Sequence, residues 1–135
     1  MLPAHLRLIA EEHINALAER HKIYVRRNKK WDTSEADMIT MMIMVPTKIR
    51  TGIDYLATLH EMGHLVDPIA REHETRRLRS KGNGKNHKDA EVLLVEAAAW
   101  AWAIRNARKS VLKGFTKADW RKVGLCWASW AGPVW

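Results

Sequence analysis

One stretch limits what this chain can become. Leu59-His60-Glu61-Met62-Gly63-His64-Leu65 carries an H-E-x-x-H pattern inside a run of helical periodicity. On a helix, His60 and His64 stand one turn apart and project from the same face. Two imidazoles so placed can share one zinc ion, with Glu61 beside them to take a proton from water. The rest of the chain must supply a third ligand, a packed support for the helix and access for whatever is acted upon.

The flanks predict a helix around the motif. Thr51 reads as an N-cap, with Asp54 three residues on returning the hydrogen bond, and the helix is expected over about 52–66 with Asp67-Pro68 near its end. Gly63 costs a helix about 1 kcal/mol relative to alanine. A glycine there makes sense where another element must come close. The partition of charge agrees with a cation site. Segments 51–70 and 89–104 hold no Lys or Arg and three acidic residues each, although the whole chain has a net charge of +8.

Catalytic zinc takes three protein ligands and keeps an open position. Asp67 shares the face of His64 but is short and lies on the same helix. Glu96 is the stronger candidate. It is the one charged residue in the run Val92–Ile104, surrounded at helical spacing by Val92, Leu93, Ala99, Trp100 and Ala103. A carboxylate in the middle of a buried face costs several kcal/mol unless a cation or donors compensate it. Glu91 is the alternative on that helix, nearer its exposed start. Alanines 97–99 would let two helices approach closely.

The remaining elements are read by pattern. A helix is expected from about Pro3 to His21. Its His5, His13 and His21 are too far apart to meet on one ion, and are expected on the surface or half-buried. Lys22–Arg27 reads as a short strand and Asn28–Asp37 as a polar turn. Met38–Val45 reads as the best strand, stopped by Pro46. It is expected either sandwiched in the core or at an edge lining a cleft, its methionines accommodating varied substrates. Residues 68–79 suggest a short charged helix, and Ser80–His87 a loop. A long helix is expected over about 88–107, and a last one starts at Thr116, again capped with Asp at the third position (Asp119). Trp120, Val123, Trp127 and Trp130 would form that helix's apolar stripe.

Length and composition bound the class. At 135 residues this is one domain. A single cysteine, Cys126, excludes an internal disulfide framework. No run approaches the roughly 20 apolar residues of a membrane span, and the N-terminus is too mixed for a signal peptide, so a cytoplasmic location with no membrane contact is expected. Basic clusters at 26–30, 71–88 and 105–122 could attract nucleic acid or an acidic partner, although a solvated basic surface is the commoner reason for them. No helix-turn-helix or zinc-finger spacing accompanies them.

The motif His60-Glu61-Met62-Gly63-His64 with a glutamate on a later helix resembles the gluzincin type of zinc metallopeptidase. More narrowly, Tyr55–His64 and Glu96–Trp100 resemble small zincin-like proteins of bacteria and phages, distantly similar to the ImmA/IrrE group of repressor-cleaving peptidases. The resemblance covers roughly residues 38–104. It implies an α+β fold, with a small, mostly antiparallel sheet of two or three strands packed on the motif helix and further helices after it. It also implies a strand that aligns an extended peptide or protein substrate. Under it, zinc sits on His60, His64 and Glu96, and Glu61 is the general base of peptide-bond hydrolysis. Tyr55, His73 and His87 are the candidates to stabilise the oxyanion. The larger gluzincins carry an aspartate four residues after the ligand glutamate, a position held here by Trp100.

Overall fold

A computed structural model describes residues 1–28, 35–80 and 90–131. Its described elements are α1 (Ala4–His21), β1 (Tyr24–Asn28), β2 (Glu35–Asp37), β3 (Met42–Pro46), α2 (Gly52–Val66), α3 (Pro68–Ser80), α4 (Ala90–Asn106), α5 (Lys109–Lys113) and α6 (Lys117–Ala131). The class is α+β, as expected. No helix among the described residues is long and apolar enough to cross a membrane.

The sheet departs from the sequence reading in three ways. It is mixed rather than mostly antiparallel: β3 pairs parallel with β1 (Tyr24 opposite Met42) and antiparallel with β2 (Glu35 opposite Met44). The order β1-β3-β2 puts β3 in the centre, so the edge-strand alternative for Met38–Val45 is wrong. The strand also starts later, at Met42. Residues 38–41 form the turn of a β2–β3 hairpin, in which Asp37 Oδ1 accepts from the backbone N–H groups of Ile39 (2.9 Å) and Thr40 (3.4 Å). Met41 closes the turn with φ 54°, and Ile39 is left 94 % exposed. A short polar side chain bonding its own following backbone outcompetes ladder pairing here. Ile43 and Val45 are fully buried beneath the helices.

α2 forms as its ends dictate. Thr51 Oγ1 accepts from Asp54 N–H (3.2 Å) and Asp54 Oδ2 accepts from Thr51 N–H (3.0 Å), a complete capping box. Its core face comprises Tyr55, Leu56, Leu59 and Met62, all fully buried. Asp67 ends α2 and starts α3: its N–H bonds Gly63 O, while its Oδ2 accepts from Ala70 N–H (2.9 Å), with Pro68 at the first helical position. A second capping box, Thr116 with Asp119, opens α6, and Asp119 Oδ1 also accepts from Gly52 N–H (3.3 Å). That contact joins the N-termini of α2 and α6. A Cβ on Gly52 would stand 2.9 Å from Asp119 Cγ and from Phe115 Cε1, so the approach needs glycine.

On α1, His13 is buried, contrary to expectation, whereas His5 is exposed and His21 half-buried. Trp100 and Trp102 are core residues, each 7 % exposed, but Trp120 on the expected α6 stripe is 40 % exposed and leans on Phe115. The side chain of Trp130, all of Trp31 and residues 81–87 of the expected loop lie outside the described residues. The short helix α5 was not foreseen.

Candidate metal centre

α2 and α4 cross where Gly63 meets Ala99. A Cβ on Gly63 would lie 2.7 Å from the Ala99 carbonyl oxygen and 3.2 Å from Ala99 Cα, so the backbones touch. This closeness brings Glu96, one turn before Ala99 on α4, against the histidines of α2.

His60, His64 and Glu96 form one group whose ligand atoms all lie within 4.8 Å of one another. His60 Nε2 bonds Glu96 Oε2 at 2.7 Å, His64 Nε2 lies 3.3 Å from Glu96 Oε1, and the two Nε2 atoms are 3.2 Å apart. His60 and Glu96 are buried, and the His64 side chain is 18 % exposed, so the site opens on its side.

This donor set suits a metal ion. Ligands about 2.0–2.1 Å from a tetrahedral centre are about 3.3 Å from one another. Two of the three donor separations already have that length, and the third is shorter by a direct hydrogen bond. Two imidazole nitrogens that face each other compete over protons, whereas a cation accepts lone pairs from both. Two nitrogens and one carboxylate oxygen are a donor set that zinc accepts.

The electrostatics of the group are those of a cation seat. Burial alone pushes the His60 imidazole down, but hydrogen bonds to Glu61 and Glu96 and their charges outweigh it and lift it to about 9. Burial pushes the Glu96 carboxyl up, but hydrogen bonds from His60 and His64 and their charge hold it at about 2. The Glu96 carboxylate is thus balanced by positive charge on the His60 imidazole, the role a metal ion would take over.

The other sequence candidates fall elsewhere. Glu61 Oε1 lies 3.3 Å from Nδ1 of His60, so both ring nitrogens of His60 face a carboxylate. Asp67 is engaged in starting α3 and in a 3.4 Å contact with Arg105. Glu91 lies in the first turn of α4, its side chain outside the described residues. Tyr55 is not available to an oxyanion: it is fully buried and its hydroxyl is engaged by His13 Nδ1 (2.6 Å) and by Arg108 N–H (2.8 Å). His73 lies on α3, and His87 is outside the described residues.

The sequence reading missed what Trp100 does. Its indole stacks on the His60 ring, with centroids 4.2 Å apart and planes 17° from parallel. The indole face thus restrains the ring from the side, in addition to the carboxylates at its two nitrogens. Its position one turn after Glu96, on the same face of α4, was the available signal.

Compared with known proteins, the chain matches no family model, no curated protein and no solved structure.

Proposed function

We propose that the chain is a zinc-dependent peptidase of the H-E-x-x-H type, with His60, His64 and Glu96 as the metal ligands and Glu61 as the general base. One observation carries this reading: two histidines one turn apart and a glutamate from a second helix converge on one point, with one side open. Bound there, zinc would polarise a peptide carbonyl and acidify water.

The chain's own groups then have defined tasks. His60 and His64 would hold the ion, and Glu96 would balance its charge from a buried position. Trp100 fixes the plane of the His60 ring and keeps water off that face. The Glu61 carboxylate takes the proton of the attacking water and passes it to the leaving amine nitrogen. Both sides of β3 are taken by β1 and β2, so an extended substrate would pair with an outer strand; β2, which packs against α2, is the nearer choice.

A zinc-loaded chain tested against a mixed peptide pool should cleave it, and Glu61→Gln should abolish cleavage while retaining the metal. Zinc-dependent cleavage unaffected by Glu61→Gln would remove Glu61 from the mechanism.

A second reading, a metal-binding regulatory or interaction module without turnover, is favoured by the place of Glu61. Its carboxylate stands against Nδ1 of His60, where it orients the ring as readily as it could serve water. Under this reading the peptide pool stays intact and Glu61→Gln weakens zinc binding by about tenfold or more. The basic segments keep a nucleic-acid or acidic partner as a third reading, which steeply salt-dependent DNA binding would bring forward.

A further inference from the structure

A second concave site lies between α1 and the junction of α4 with α5 and shares no residue with the metal centre. The cavity, about 260 Å³, is lined by His13, Leu17 and Arg20 of α1, and by Arg105, Asn106 and Arg108. No acidic side chain lines it among the described residues. Arg105 makes one long contact with Asp67, at 3.4 Å, while Arg20 and Arg108 have no carboxylate partner among the described residues.

The polar lining consists almost entirely of donors. The Tyr55 oxygen accepts from Arg108 N–H, which leaves the hydroxyl hydrogen pointing at His13 Nδ1. His13 must then carry its own proton on Nε2, as a donor. Burial and the nearby Arg108 charge hold its imidazole down at about 4, so it stays neutral in this tautomer at ordinary pH. Asn106 gives one of its two Nδ2 hydrogens to Trp102 O (2.9 Å) and keeps the other. Three exposed arginines, with His13 and Asn106, thus line the cavity and supply its donors. Arg20 and Arg105 lie in the last turns of α1 and α4, where a cation complements a helix terminus. That accounts for two of the arginines singly, but not for Arg108 or for the placing of all three around one cavity with no acidic residue among the described ones.

We propose that this cavity binds a phosphate group, either free or carried by a larger molecule. Guanidinium forks match phosphate oxygens in geometry, and three of them suit a dianion better than a single carboxylate. The proposal does not rest on the peptidase reading.

The test is calorimetric titration of the full chain with inorganic phosphate, at ionic strength fixed with chloride. It is run on zinc-loaded and on metal-free protein, so that phosphate meeting the metal is separated from phosphate meeting the arginines. One saturable site with a Kd below about 1 mM is expected in both forms. Arg20→Gln and Arg108→Gln should each weaken it about tenfold, the worth of one charge-assisted hydrogen bond. Neither change removes a backbone group, and circular dichroism checks that each variant folds. The NMR titration of His13 should move upward with phosphate present, as the anion offsets Arg108. Tighter binding of a nucleoside monophosphate than of inorganic phosphate would identify the ligand as phosphate on a larger molecule, and equal binding as the free ion. Heat that does not saturate, binding confined to the zinc-loaded form, or binding unchanged in both folded variants would overturn the proposal.

Discussion

Replacing Gly63 by alanine tests the helix crossing on which the site depends. In an unconstrained helix interior this change stabilises by about 1 kcal/mol, because alanine loses less backbone freedom than glycine on folding. Here the added Cβ would stand 2.7 Å from the Ala99 carbonyl oxygen and 3.2 Å from its Cα. Both atoms belong to the backbone of another helix, which cannot rotate away as a side chain does. α4 must shift by several tenths of an ångström, and overpacking of this kind costs about 1–3 kcal/mol. The propensity gain is therefore cancelled or reversed, with a net loss of up to about 2 kcal/mol. Glu96 travels with α4, so zinc affinity should fall further than stability does. Urea unfolding of the metal-free chain gives the first quantity, and competition with a chromophoric chelator the second. A Gly63→Ala protein stabilised by about 1 kcal/mol, with unchanged zinc affinity, would refute the close crossing.

Two other predictions concern the elements that frame the site. Thr51→Ala removes the acceptor for Asp54 N–H and should cost about 1 kcal/mol, read as a lower urea midpoint at constant slope. His13 has a folded value near 4, below its unfolded 6.5, so its contribution is present above pH 6.5 and is lost as pH falls through 4. The difference amounts to at most about 3 kcal/mol. Stability should therefore decline over that window in the native chain, and decline less in His13→Gln when the two are compared by thermal unfolding at each pH.

The motif helix and its partners were legible because their signals are local. Thr51 and Asp54 set the start of α2, and Asp67-Pro68 its end, through side chains bonding backbone within a few residues. Gly63 marked a close approach before the approaching element was known. Glu96 stood out because a carboxylate in an apolar run needs a cation, and the structure brings its oxygens to both histidines. The sheet was less legible because pairing is decided between distant segments. Nothing near Met42 announces that its strand will lie parallel to Tyr24–Asn28. At Met38–Met41 the apolar pattern misled, since the Asp37 side chain folded the backbone into a turn and left Ile39 in solvent. The engagement of Tyr55 by His13 and Arg108 was hidden for the same reason. The three residues are distant in sequence, and only the packing of α1, α2 and the α4–α5 junction unites them.

The central claim is that α2 and α4 jointly hold one metal ion. Its most direct test is the zinc content and affinity of the purified chain beside His60→Ala, Glu96→Ala and Glu91→Ala. The account predicts one equivalent of zinc in the native chain and in Glu91→Ala, and loss of tight binding in His60→Ala and Glu96→Ala. Native zinc affinity in Glu96→Ala, or loss of zinc in Glu91→Ala alone, would contradict it.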